Sequence, residues 1–237
     1  MQYVRIKEAI AEQIDAGSLL PRQKLPPERQ LAESFNTTRV TLREALSLLE
    51  AEGQIYREDR RGWFISPPPL RYNPSQAVDF VTAARAQNRQ PDMTIINAKA
   101  MLADKVATRL LALAPFADVY RIERLLHLEQ RPVAYVTSYV PPQLCPNLLR
   151  FDLAQSMSLV LREHFALEYH SISYRVTTSA LFGDVALALR ATAGTPALVI
   201  ERKHYDHKGN LLNAETELWR HDAICLASEA ILTPVSA

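Results

Sequence analysis

Three amphipathic helical segments closed by a short hairpin, then a run of three prolines, then a longer stretch mixing strand-like and helix-like segments predict an α+β chain in two parts. With 237 residues, the chain exceeds the roughly 150 usual for one domain. The expected division is a first domain over 1–66, a linker over 67–74 and a second domain over 75–237.

Composition removes several classes. Hydrophobic residues make up 48% and charged residues 22%, which excludes general disorder. There is no run of about 18 apolar residues, so no transmembrane helix and no membrane partner are expected. Arg5, Lys7, Glu8 and Glu12 interrupt what would be the apolar core of a signal peptide. Two cysteines, Cys145 and Cys225, are too few for a disulfide framework or a cysteine zinc site, and the expected compartment is a reducing cytoplasm. The net charge of +1 hides a local pattern. Between Arg22 and Arg43, the five basic residues Arg22, Lys24, Arg29, Arg39 and Arg43 meet only Glu28 and Glu33. Placement therefore carries more than net charge.

Residues 3–16 set Val4, Ala9, Ile10 and Ile14 toward one helical face, and Gly17 stops the helix. Pro26-Pro27 opens a short second helix, where a missing N–H is tolerated, with Leu31, Ala32 and Phe35 as its apolar side. Asn36-Thr37-Thr38 breaks this helix and caps the next. Over 39–53, Val40, Leu42, Ala45, Leu46, Leu48 and Leu49 make a broad apolar stripe that stops at Gly53. Residues 54–57 and 62–66 read as strands around the charged tip Glu58-Asp59-Arg60-Arg61.

This order is that of a winged helix-turn-helix, in which a short helix braces a recognition helix whose first turn enters the DNA major groove. Thr37, Thr38, Arg39, Thr41 and Arg43 cluster at that first turn. An arginine such as Arg39 suits a guanine edge, while threonine hydroxyls and the helix N-terminus suit phosphates. Arg60, Arg61 and Gly62 would lay the hairpin tip along the backbone or minor groove. A solvated amphipathic helix with ordinary surface arginines is the plainer alternative.

Pro67-Pro68-Pro69 begins a stiff, extended linker through Tyr72-Asn73-Pro74. Beyond it, 75–88 is expected to be helical with Ser75 as a possible cap and Val78, Phe80 and Val81 apolar. Residues 94–102 read as a strand and 103–113 as a helix. Strands over 119–128 and 132–140 flank a tight turn at Glu129-Gln130-Arg131. Residues 158–165 and 184–191 read as helices and 169–181 as a strand. A last hairpin, 196–205 and 211–220, turns over 206–210 with Gly209 for a positive φ. The second part is thus α+β around an antiparallel sheet.

The stretch LPPERQLAESFNTTRVTLREALSLLEAEGQIYREDRRGWFI resembles the DNA-binding region of GntR-family regulators, whose pattern runs LPSER, LA-x-x-F, R-x-TVR-x-AL and EGL before a glycine-rich wing. The resemblance implies that Arg29, Arg39 and Arg43 hold phosphates and read bases, and that Gly62 is the wing glycine. Pro27 stands where the family commonly has serine, and Arg60 and Trp63 replace the wing's usual glycine and threonine.

The remainder resembles the effector (UTRA) domain of the HutC branch, which has the chorismate-lyase fold. The stretches that carry this are YRIERLLHLEQRPVAYVTSYVPP, QSMSLVLREHF and the terminal ELWRHD. NTTR, DRRGWF, YNPSQ and ELWRHD together look most like PhnR-type regulators of 2-aminoethylphosphonate use. The branch takes small, often anionic effectors: sugar phosphates, urocanate, phosphonates. The resemblance makes Arg124 an anion-binding arginine and Ser158 an effector-facing hydroxyl. Leu126 stands where a second arginine is usual, so Tyr174 and Arg175 are candidates to replace that charge. Val136 occupies a position often held by a carboxylate, and Glu215 and Glu217 are candidates to receive an amino group.

Other polar residues have plainer expectations. Arg220 and Asp222 are expected to form an ion pair, and Arg121 and Glu123 to be cross-strand partners on the solvent face. Tyr139 and Trp219 are expected in the core or a pocket wall, and both cysteines in inert packing. The six histidines show no metal spacing, so neither metal nor cofactor is expected. The lyase fold raises an enzyme as an alternative, but GxSxG, P-loop, zinc and carboxylate-pair motifs are missing. The expectation is a cytoplasmic regulator, not an enzyme, acting as a homodimer on a pseudo-palindromic operator and controlled by a small anionic effector. Relief of repression is the family's default.

Overall fold

The computed structural model describes residues 1–73 and 79–229. The first domain comprises α1 (Gln2–Asp15), α2 (Glu28–Ser34), α3 (Arg39–Ala51) and an antiparallel hairpin of β1 (Ile55–Glu58) and β2 (Gly62–Ile65). Its core is drawn from every element: Ile6 and Ile10 of α1, Leu31 and Ala32 of α2, Leu42, Ala45, Leu46 and Leu49 of α3, and Ile55, Trp63 and Ile65 of the hairpin. Ile6, absent from the face expected above, takes the central place on α1; Val4 and Ile14 are only partly buried. The α3 stripe is narrower than expected because burial follows a strict i, i+3, i+4, i+7 run from Leu42. Val40, about 200° from Leu42 around the helix, projects from the opposite side and is 69% exposed. Leu48 is also exposed.

The linker is not a free spacer. Leu70–Tyr72 forms β3, which pairs in parallel with β10 (Ile224–Leu226) near the end of the described chain. Leu70 and Tyr72 are buried in the core of the second domain. Three residues could not be read as a strand because their pairing partner lies over 150 positions away. Next comes α4 (Phe80–Arg85), capped by Asp79, whose carboxylate accepts from the Thr82 N–H at 3.1 Å. Ser75 and Val78, assigned to this helix above, lie outside the described residues.

The second domain is built on a six-stranded antiparallel sheet in the order β4-β5-β6-β9-β8-β7. The strands are β4 (Pro91–Leu102), β5 (Asp118–Leu128), β6 (Arg131–Val140), β7 (Ser171–Ala180), β8 (Pro196–Tyr205) and β9 (Leu211–Arg220). Glu129 and Gln130 both have positive φ, the two-residue turn that matches strand twist between β5 and β6. Helices cover both faces. α4 and α6 (Met157–Phe165) pack against one, while α5 (Lys105–Leu111) and α7 (Gly183–Ala188) cover the other.

The domains meet along β1 of the β1–β2 hairpin, from Tyr56 to Asp59 at its tip. The Asp59 N–H donates to the Arg190 carbonyl at 2.9 Å, and Arg220 donates to the carbonyls of Arg57 at 3.0 Å and Leu189 at 3.1 Å. The Tyr56 ring lies between two guanidinium groups, 3.4 Å from that of Arg131 and 5.5 Å from that of Arg220. Asp222 accepts from both arginines, at 2.5 and 3.4 Å, so the expected Arg220–Asp222 pair exists within a larger cluster. Arg121 and Glu123 pair at 2.7 Å, but within one strand, not across strands. Period-2 alternation turns Glu123 under the helices, where Tyr135 donates to it at 2.8 Å.

Candidate functional site

Two surfaces concentrate function. On the first domain, Thr38 caps α3 by accepting from the Thr41 N–H at 3.2 Å, and the two hydroxyls lie 3.1 Å apart. No acidic residue stands in the first turn. Arg39 has no hydrogen bond or ion pair among the described residues. Arg43 is held by Glu28 at 2.7 Å, and Arg29 by Glu33 at 3.2 Å. The Glu28 carboxyl is lowered despite burial, because Arg43 and the Trp63 indole both bond it. Trp63 thus ties the wing to α2, with its N–H 3.1 Å from Glu28.

Thr37 is a correction: its hydroxyl is buried and unpaired, so it does not face outward with its neighbours. At the wing tip Gly62 has φ +99, and a Cβ there would press on Lys24 at 3.4 Å. Arg60 adopts φ +57, the left-handed conformation that glycine takes at least cost, and its side chain is 93% exposed. Arg61 is less available: it pairs with buried Glu58 and lies 5.7 Å over Phe64.

The second surface is a cavity of about 60 Å³ within the second domain, open to solvent through its mouth. Strand register builds it. Arg124 pairs opposite Val136, Val136 opposite Glu217, and Glu217 opposite Ile200; one rung along, Ser138 pairs opposite Glu215 and Glu215 opposite Arg202. Alternation therefore aims Arg124, Ser138, Glu215, Glu217, Trp219, Arg202 and His204 from four strands onto one face. Arg124 donates to Ser138 at 2.7 Å and to Glu215 at 3.0 Å. Arg202 bridges Glu215, at 3.1 Å, and Glu217. The Trp219 indole donates to Glu217 at 2.6 Å.

Although burial opposes its charge, Glu215 is held ionised by Arg202 and Arg124, its carboxyl at about 2. Burial lowers His204 to about 4, so its ring is neutral at pH 7. Ser156 and Ser158, hydroxyls 2.8 Å apart, stand at the start of α6 on the opposite wall.

Arg124, Ser158, Glu215 and Glu217 line this cavity; Tyr174 and Arg175 do not. Tyr174 lies on edge strand β7 and is 43% exposed. Arg175 has the wrong parity: on the far face it pairs with Glu201 at 2.7 Å, which also binds Arg109 of α5. The charge expected from these two comes from Arg202. Its signal was legible in the alternation Leu198, Ile200, Arg202, His204, in phase with Asn213, Glu215, Glu217 and Trp219 across the last hairpin. Tyr72 is the other residue missed. It lines the cavity from the interdomain connection, its hydroxyl 3.4 Å from Glu217 and its ring 5.9 Å from Trp219.

The buried neutral histidine sets a pH dependence. An unfolded histidine protonates near pH 6.5, whereas folded His204 does so near 4, so between these values the unfolded chain binds more protons and stability falls as pH drops. The thermal midpoint of wild type should decline from pH 6.5 to 4 more steeply than that of His204→Gln; equal slopes would remove this role.

A winged helix-turn-helix joined to a charged, open-mouthed cavity in an antiparallel-sheet domain defines a one-component transcriptional regulator. Residues 2–65 match the family described as bacterial regulatory proteins, gntR family, and residues 86–224 match the UTRA domain; the chain belongs to the GntR family and carries a UTRA domain. It is 33% identical over 222 residues to the uncharacterized HTH-type transcriptional regulator YihL of Escherichia coli K12, covering 93% of this chain and 94% of that one. It is 26% identical to the repressor NagR of Bacillus subtilis (93% and 90% covered) and 27% identical to the repressor PhnF of Mycolicibacterium smegmatis (83% and 80%). The crystal structure of PhnF from Mycobacterium smegmatis shares the fold, with TM-score 0.64 and 24% identity, covering 95% of this chain and all of that one. The relatives are named as transcriptional regulators, and the chain is a DNA-binding regulator, not an enzyme. Among the described residues no helix is long and apolar enough to cross a membrane.

Proposed function

We propose that the protein is a cytoplasmic, homodimeric repressor whose second domain binds a small zwitterionic effector, an aminoalkylphosphonate such as 2-aminoethylphosphonate, and that it controls genes for phosphonate uptake or degradation. The observation that carries the effector class is the polarity of the cavity. Arg124 reaches from the sheet to the Gln155 carbonyl at 3.3 Å, beside the Ser156 and Ser158 hydroxyls at the start of α6, a setting for an anion. The cavity also offers Glu217 and Asp79 among the rings of Tyr72, Phe80 and Trp219, a setting for an ammonium group. Arg124 and Arg202 are already matched by Glu215 and Glu217, so a ligand bringing only negative charge would enter a site with no surplus of positive charge. A zwitterion brings its own balance.

Two first domains related by a two-fold axis would read a pseudo-palindromic operator. Arg29, Thr38, Arg39, Thr41, Arg43, Arg60, Arg61 and Gly62 form the proposed contact surface, with Arg39 reading a base. Coupling requires that the effector favour one arrangement of the domains. The connection supplies a short route: Tyr72 forms part of the cavity wall and follows the wing strand by seven residues, three of them proline.

Thermal denaturation with 2-aminoethylphosphonate, phosphate, glucosamine 6-phosphate, N-acetylglucosamine 6-phosphate and urocanate tests the effector. A ligand at a hundred times its dissociation constant stabilises by about 2.7 kcal/mol, a rise of a few degrees. A selective rise with 2-aminoethylphosphonate, lost in Glu217→Gln, is expected. A rise with a sugar phosphate alone would replace the effector and leave the cavity in place. On DNA, Arg39→Ala should cost about 1–3 kcal/mol and relax base choice, whereas Arg60→Ala should weaken all sequences alike and reduce the salt slope by about one. Equal loss on every sequence for Arg39→Ala would refute its reading role.

A further inference from the structure

We propose that Val40 is a base-reading residue, its methyl groups packing on the 5-methyl group of a thymine in the operator; this rests on the DNA-binding reading of the first domain. The observation is an apolar side chain with nothing to cover it, in a turn where most neighbours are already engaged. The Thr37 hydroxyl is buried. The Thr38 hydroxyl caps the helix and lies against that of Thr41. Arg43 is tied to Glu28. What the first turn of α3 leaves free is Arg39, without a partner among the described residues, and Val40, 69% exposed.

Valine is a poor choice for an exposed helical position on two counts. Its branched Cβ restricts the side chain, and its methyl groups gain nothing from water. Thymine is distinguished in the major groove by the C5-methyl group, and apolar contact is how proteins recognise it. An arginine for guanine beside a valine for thymine gives one turn two independent kinds of readout. A shallow groove on this side of α3 also includes Tyr3, Glu44, Ser47 and Leu48. Val40 sits at its N-terminal end, with Arg43 and Glu44 one turn further along the same face, and the unpaired Arg39 just before it supplies positive charge that suits the phosphates flanking a base.

The test begins with sequences that the full-length protein selects from random DNA. Each conserved thymine is then replaced by deoxyuridine, which removes only the methyl group. Wild type should lose about fourfold in affinity, the worth of one methyl group removed from water, at one thymine of each half-site. Val40→Ala should bind the thymine operator about as weakly as wild type binds the deoxyuridine one, and should not respond to that replacement. Arg39→Ala should keep the deoxyuridine penalty. Val40 is exposed and alanine favours helix, so the variant folds; an unchanged thermal midpoint checks this. The proposal falls if no replacement weakens wild type, if the selected half-site lacks thymine, or if the penalty persists in Val40→Ala. Failure of wild type to select any sequence would instead remove the DNA-binding reading beneath it.

Discussion

Arg202→Ala should lower stability by about 3–5 kcal/mol, the cost of leaving buried carboxylates without their partner. Arg202 is bonded to both Glu215 and Glu217, which are almost fully buried. Without it Glu215 retains Arg124, but among the described residues Glu217 keeps only the Trp219 indole and the more distant Tyr72 hydroxyl. The loss comes from the orphaned charge and not from the missing contact, which a second variant separates. Arg202→Met combined with Glu215→Gln and Glu217→Gln removes the charges together and should recover much of the stability. Urea denaturation read by linear extrapolation measures both. A loss under about 1 kcal/mol for Arg202→Ala would show that water entering through the cavity mouth screens these carboxylates.

Asp222→Ala should be as damaging, for the opposite reason. Asp222 is buried between Arg131 and Arg220, whose fields keep its carboxyl low although burial acts against it. Arg220 is itself lowered, by burial and by the charge of Arg131. Removing the carboxylate leaves two guanidinium groups in repulsion around the Tyr56 ring, again at about 3–5 kcal/mol. The consequence is local as well as global, because these arginines grip β1 of the wing at Tyr56 and Arg57. Amide exchange at Asp59, whose N–H is bonded to the Arg190 carbonyl, should accelerate beyond what the global loss explains. Asp222→Asn, which keeps an acceptor but not the charge, should fall between wild type and Asp222→Ala. Unchanged exchange at Asp59 would mean that the cluster stabilises the second domain without holding the first.

The two damaging substitutions act at opposite ends of a short path. Strand β9 carries Glu215, Glu217 and Trp219 into the cavity and ends at Arg220, with Asp222 two residues on. One strand thus forms part of the cavity wall and carries Arg220, which holds the wing, alongside the direct connection through Tyr72.

Much of this was legible in the sequence because it depends on neighbours along the chain. The three helices of the first domain and the three hairpins, β1–β2, β5–β6 and β8–β9, follow from periodicity, caps and turn residues acting within about ten positions. Arg39, Thr38 and Arg43 fall on the first turn of α3 for the same reason. Errors arose where one of several local patterns had to be chosen. Val40 was drawn into the apolar stripe by its type, whereas helical geometry places it opposite Leu42. Arg175 was chosen for its charge, although alternation along β7 turns it away from the cavity.

What tertiary structure alone decided are the pairings between distant segments. The parallel β3–β10 contact, the approach of Arg124 to Glu215, the Arg131–Tyr56–Arg220 cluster and the entry of Tyr72 into the cavity wall each join residues that no local pattern relates. The sequence by itself determined which elements form and which side chains share a face, since both follow from backbone period. Which faces meet is set by how whole elements bury apolar surface together, and that choice brought Arg124 of β5 to Glu215 of β9 and the interdomain connection to the edge of the cavity.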